Sequence, residues 1–218
     1  MLLRFFLVAL LAAPPAFAGP YPRDTEGTVI SITEDIDNEV EDGTTSIFVE
    51  SGSELFSVGV DTEIVGEEED WSAFAFIRRP LTPKSSRDRV SLSAGFGAQQ
   101  TETGTEPVVV LGGAWGRDVE GAMAGWLSLE GEARYGADSG ETALSGDAAV
   151  AVSPINGISL VNEVSVSRVA GSDDDTETFL TSSIVGTVSE TARVQLGATV
   201  DLSGEAATGI RLGTWLEF

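Results

Sequence analysis

The sequence has 218 residues, with 35 Asp and Glu against 12 Lys and Arg and a formal net charge of −23. So acidic a chain repels phosphate backbones, which excludes nucleic acid as a partner. It contains no Cys and no His, so disulfides are impossible and the commonest general base and transition-metal ligand are missing.

In chain order, residues 1–18 come first. Arg4 is their only charge, an apolar run follows, and Ala16-Phe17-Ala18 precedes Gly19. This is the pattern of a cleaved secretory signal peptide, and its apolar run is short for a membrane span. The mature chain is expected to be one exported domain, residues 19–218. With 42% hydrophobic residues it is too apolar for disorder. No stretch of it is long and apolar enough for a transmembrane helix.

Its apolar residues recur by twos, the period of a strand with two unlike faces. Candidate strands at 27–33, 44–50, 54–64 and 71–79 are short or irregular. Residues 90–98 set Val90, Leu92, Ala94, Phe96 and Ala98 against Ser91, Ser93 and Gly97. Residues 106–116 are strand-like. Residues 123–135 set Met123, Leu127, Leu129, Ala133 and Tyr135 against Ser128, Glu130, Glu132 and Arg134. In 141–153, Leu144, Gly146, Ala148, Val150 and Val152 oppose Ser145, Asp147 and Ser153. Strands at 157–169 and 178–188 follow. Residues 192–202 then set Val194, Leu196, Ala198, Val200 and Leu202 against Arg193, Gln195, Thr199 and Asp201. Finally, 208–218 sets Ile210, Leu212, Thr214, Leu216 and Phe218 against Arg211, Gly213, Trp215 and Glu217. That makes about twelve strands.

The connectors alternate in kind. Segments 34–43, 66–70, 100–106, 136–141, 171–177 and 203–205 are acidic and hold more than half of all Asp and Glu residues. Between them lie 51–53, 80–88, 117–121, 154–157 and 189–191, which are short or basic. In an up-and-down antiparallel meander, alternate connectors emerge at opposite ends. One end is therefore expected to be strongly acidic, while the other carries the basic segment 78–89.

A signal peptide, repeated strands of about ten residues and a closing strand that stops on Phe218 resemble the outer-membrane β-barrels of Gram-negative bacteria. The resemblance covers nearly the whole mature chain at the level of architecture. It implies an all-β, antiparallel up-and-down barrel of about twelve strands. Barrels of eight or ten strands behind an N-terminal periplasmic segment, and a soluble exported β-sandwich, remain open alternatives. The resemblance further implies that Phe218 is the signal read by the barrel insertion machinery, that both termini lie in the periplasm, and that lipid and lipopolysaccharide are the surroundings. In hydrocarbon every backbone group must be paired, so a sheet spans only as a closed barrel. The apolar faces would then meet lipid, with Trp126, Trp215 and Tyr135 near the aromatic girdles, although Trp215 falls on the lumen face by parity.

The expected function is a small passive diffusion channel with weak cation preference. A non-conducting structural or interaction barrel is the alternative. Lumen candidates are Glu130, Glu132, Arg134, Asp147, Glu163, Arg193, Asp201, Arg211 and Glu217. Asp147 should lie beside Glu130 and Glu132, and folding the last hairpin about Glu205 should place Arg193 opposite Glu217. Clustered carboxylates on a channel wall favour small cationic or neutral solutes. No catalytic constellation is available without His, and Lys84, the only lysine, falls in a turn. Glu130 and Glu132, at i and i+2 of one strand, read as lumen charges rather than as a hydrolytic pair. No motif calls for a cofactor. Neither Asp35, Asp37 and Glu39 nor Asp173, Asp174 and Asp175 matches a calcium loop, and both runs read as a solvated rim. The basic segment 78–89 is a candidate contact for periplasmic partners or anionic head groups.

Overall fold

The computed structural model describes residues 27–37, 43–53, 55–66, 70–83, 85–101, 104–120, 124–171, 176–203 and 208–218. They form twelve strands: β1 (Gly27–Asp37), β2 (Gly43–Gly52), β3 (Ser57–Val65), β4 (Asp70–Pro80), β5 (Asp88–Thr101), β6 (Gly104–Val119), β7 (Ala124–Gly136), β8 (Thr142–Ile155), β9 (Ile158–Val169), β10 (Thr176–Thr187), β11 (Ala192–Asp201) and β12 (Thr208–Glu217). Each pairs antiparallel with its sequence neighbours, and β1 pairs with β12, closing a barrel. Closure leaves no strand edge, so every ladder donor and acceptor has a partner on both sides. The alternatives of eight or ten strands and of a sandwich are thereby excluded.

The seam is completed by the last residue. Phe218 donates its backbone N–H to the Thr28 carbonyl at 3.0 Å, and the Thr28 N–H donates back to the Phe218 carbonyl at 3.1 Å. The Phe218 ring points outward and is 69% exposed.

The expected alternation of faces is present. Along β12, Arg211, Gly213, Trp215 and Glu217 point inward, while Ile210, Leu212 and Leu216 point outward. Leu92, Phe96, Leu111, Leu129 and Leu196 stand on the outer wall of β5, β6, β7 and β11. Such exposure makes sense only if hydrocarbon covers that wall. Trp71 and Tyr135 lie on the outer face where β4 begins and β7 ends, at the end holding the acidic connectors. Trp115 lies outward at the opposite end, where β1 begins and β12 ends, donating its indole N–H to Asp88 at 3.1 Å; Asp88 also binds Arg117 at 2.6 Å. Of the expected girdle residues, Trp126 changes place, pointing inward and buried, while Trp215 is inward as its parity indicated.

Strands run further into the connectors than the sequence suggested. β1 continues to Asp37, β6 to Val119, and β5 and β6 flank only residues 102–103. Polar residues beyond the apolar run still complete the ladder where the strands project past the hydrocarbon. The tight turn between β8 and β9 is Asn156-Gly157, with Gly157 at φ 80°. That left-handed conformation suits a two-residue hairpin and favours glycine.

The basic segment 78–89 is corrected more substantially. β4 extends through Pro80, so Arg78 lies inside the barrel, with its side chain 10% exposed and bound to Glu50 and Glu130. Arg87 pairs with Glu120, and Arg89 with Asp118. Of the segment's five basic residues, Arg78 is thus committed inside the barrel and Arg87 and Arg89 are paired with carboxylates, while Arg79 is exposed on the outer face. Lys84 lies outside the described residues.

Space inside the wall is tight. A Cβ on Gly59 would come within 2.3 Å of Phe76 Cζ and 2.5 Å of the Val49 carbonyl oxygen. Gly59→Ala is therefore expected to destabilise the barrel by about 1–3 kcal/mol, because the Val49 carbonyl is held in the β2–β3 ladder and the Phe76 ring would have to turn aside. Urea titration, following the slower gel mobility of unfolded protein, checks this; an unshifted midpoint would mean that Phe76 swings aside freely.

Candidate functional site in the barrel lumen

Every strand except β10 contributes to the lining of a cavity of about 320 Å³. Its wall carries five carboxylates (Asp61, Glu130, Glu132, Asp147, Glu163) and three guanidiniums (Arg78, Arg134, Arg211). Period-two geometry places them there, since alternate residues of each strand share the inner face.

Two of the arginines reach across the barrel. Arg78 on β4 binds Glu50 on β2 at 3.0 Å and Glu130 on β7 at 3.1 Å, spanning β5 and β6. Ser57 also donates its hydroxyl to Glu50. Arg211 on β12 grips Asp35 on β1 with two bonds of 2.7 and 3.0 Å, and its third nitrogen reaches Glu163 on β9 at 2.8 Å. Two chords of fixed charge thus cross the lumen. Arg134 instead bonds Glu132, two residues back on its own strand, at 2.5 Å. Its guanidinium lies 4.6 Å from the centroid of the Phe74 ring.

The sequence-derived residues divide clearly. Glu130 and Asp147 are direct cross-strand partners, as expected. Glu130, Glu132, Arg134, Asp147, Glu163 and Arg211 all line the cavity. Arg193 and Glu217 pair at 2.8 Å near the terminal end, away from it. Their register differs from the expected one: Arg193 faces Trp215, and the ion pair is diagonal. The β11–β12 register is therefore centred one residue earlier than a fold about Glu205, which itself lies outside the described residues. Asp201 sits at the last position of β11 and accepts bonds from the Ser203 N–H and hydroxyl, so it closes a turn at the rim. Asp35, which the sequence assigned to a solvated rim, is the bidentate partner of Arg211. The Asp37 side chain, Glu39 and Asp173 to Asp175 lie outside the described residues. Among those described, no group of three or more acidic side chains is arranged to hold a metal ion.

Sequence reasoning missed the β2–β4 half of the site: Phe48, Glu50, Asp61, Phe74, Phe76 and Arg78. In β4 both faces are apolar (Phe74 and Phe76 inward, Ala73, Ala75 and Ile77 outward), so alternation is unreadable. The usable signal was size. Inward Phe74 and Phe76 face Gly97 and Gly95 across the β4–β5 pair, whereas small outward residues need no such space.

An apolar cluster abuts the cavity toward the terminal end. Trp126, Ala149, Ala151, Val161, Val185 and Trp215 form one buried group, drawn from β7, β8, β9, β10 and β12. The two indoles are 4% and 9% exposed.

No family model and no curated protein matches the sequence. Solved structures do. The NanC porin superposes with a TM-score of 0.64 at 8% identity, over 87% of this chain and 100% of that one. The fold is that of the outer-membrane porin barrels. The KdgM porin in complex with disordered oligogalacturonate gives a TM-score of 0.62 at 8% identity, covering 87% of this chain and 99% of that one. An outer-membrane channel from Pseudomonas putida F1 gives 0.62 at 12% identity, covering 93% and 100%. At these identities the likeness concerns the fold, and the function must be argued from the lumen.

Proposed function

We propose that the protein is a narrow, passive outer-membrane channel that prefers cations, exported by a leader at residues 1–18 and inserted through recognition of its final strand at Phe218. One observation carries this reading: the five carboxylates of the cavity wall outnumber its three guanidiniums. A ring of excess fixed negative charge in a confined, partly dehydrated passage concentrates cations and repels anions. The same excess makes a polyanion, such as the oligogalacturonate bound to KdgM, a poor solute here. With no His in the chain, the Ser–His and acid–His constellations of membrane hydrolases are not available.

The test is single-channel recording in planar bilayers under a potassium chloride gradient, with heat-shifted gel mobility as the folding control. Discrete steps with a cation-selective reversal potential are expected. Glu130→Gln combined with Asp147→Asn should move the permeability ratio of potassium to chloride toward unity. Anion selectivity in the wild type would refute the charge argument.

A second reading has its own observation. The tryptophan cluster is buried inside the barrel and two arginine chords cross the lumen, as in a sealed barrel with a structural or interaction role. A folded, heat-shifted protein that gives no current steps would support that reading.

A further inference from the structure

Resting on the channel reading, we infer that the wall formed by Phe48, Asp61, Phe74 and Phe76 is a binding station for a small organic cation with a guanidinium head, and that Arg134 is its built-in occupant. Phe48, Asp61 and Phe74 are direct neighbours across β2, β3 and β4, which places a carboxylate between two inward phenyl rings. Phe76 stacks on Phe48 with centroids 5.6 Å apart and planes inclined by 22°. Phe74 is packed against Gly97, where an added Cβ would meet its ring at 2.8 Å.

The ligand chemistry is written in what already sits there. Arg134 comes from β7, across the intervening β5 and β6, and lays its guanidinium on Phe74 at 4.6 Å. Glu132 accepts its hydrogen bond, and Glu63 and Asp61 attract it electrostatically. A π face with carboxylates around it is the arrangement that selects a planar cation. Arg78 lies over the Phe76 ring at 5.4 Å, but it is locked by Glu50 and Glu130, as Arg211 is by Asp35 and Glu163. Arg134 has no such cross-barrel anchor among the described residues. Its hydrogen bond goes to its own strand, so it can yield its place and return.

Charge favours an incoming cation over a neutral solute. Among the described residues, neither Asp61 nor Asp147 forms an ion pair, although both face the cavity. The three phenyl rings favour an organic ion over a hydrated metal ion, which does not shed water onto a hydrocarbon surface.

The experiment is calorimetric titration of the folded protein in detergent with methylguanidinium chloride, against a potassium chloride background of equal ionic strength. Arg134→Ala is expected to tighten methylguanidinium binding by about tenfold relative to the wild type, because the resident competitor is gone. Adding Phe74→Leu or Asp61→Asn to that variant should abolish the gain. If Arg134→Ala does not fold, Arg134→Gln removes the charge while keeping the stem. Equal affinity in the wild type and the Arg134 variants, or a gain that survives both Phe74→Leu and Asp61→Asn, overturns the inference. Binding is read without current, so the two proposals fail separately. Binding without current steps refutes the channel, and current steps without binding refute the station.

Discussion

Replacing Arg78 with alanine is expected to cost about 3 kcal/mol of stability, since it strands two carboxylates inside the wall. Glu50 would suffer most: its side chain is 7% exposed, and its remaining partner is the Ser57 hydroxyl. Glu130, at 22% exposure, regains some solvation from the cavity, which keeps the cost at the lower end of that for breaking a buried pair. Urea titration of the refolded barrel reads the loss as a lowered midpoint. Arg78→Ala with Glu50→Gln should recover part of it, because the uncompensated charge is then gone. A midpoint equal to that of the wild type would show that lumen water screens the bridge as it screens surface pairs. The same variant removes one chord from the lumen, so its conductance should rise even as its stability falls. Stability and permeability here are opposed through one side chain.

How much of this was legible in the sequence depends on where each strand's contrast lies. β5, β7, β8, β11 and β12 carry polar inner and apolar outer faces, so strand, face and several lumen charges could be read from period two alone. The alternating acidic connectors gave the parity of the whole meander. β2 to β4 could not be read this way, because the barrel fills its interior there with phenyl rings, and an aromatic residue gives the same signal inward as outward. Trp126 failed for a related reason. Near a strand end, an indole fits an interfacial girdle or an interior plug equally well by residue type, and only its parity with Ser128 and Glu130 marks it as inward. Chords such as Arg78–Glu130 and Arg211–Glu163 join strands three apart, and barrel closure sets that distance. No local pattern encodes it. The Arg193–Glu217 pair was recoverable despite a wrong register because long side chains tolerate a diagonal offset.

The largest change in permeation is expected from Trp126→Ala with Trp215→Ala. These indoles close the apolar cluster between β7 and β12, on the side of the cavity nearer the start of β1 and the end of β12. A hydrophobic constriction resists ions by dewetting, so charged walls above it set selectivity while the constriction sets the rate. Removing both rings should admit water and raise single-channel conductance several-fold with little change in ion preference, because Glu130, Asp147 and Glu163 remain. It should also cost stability. Each truncation deletes a buried aromatic worth about 3–5 kcal/mol in a packed core, less whatever the incoming water recovers. Trp126→Phe with Trp215→Phe separates the two effects, since it keeps an apolar plug of smaller volume and should fall between the wild type and the alanine pair in conductance. Recordings that show unchanged conductance in the alanine pair would place the rate-limiting constriction elsewhere, at the arginine chords. The Arg78→Ala variant would then carry the larger current. The two variants thus locate the narrowest point of the lumen by comparison: a plug predicts that tryptophan removal dominates, and a charged gate predicts that arginine removal does.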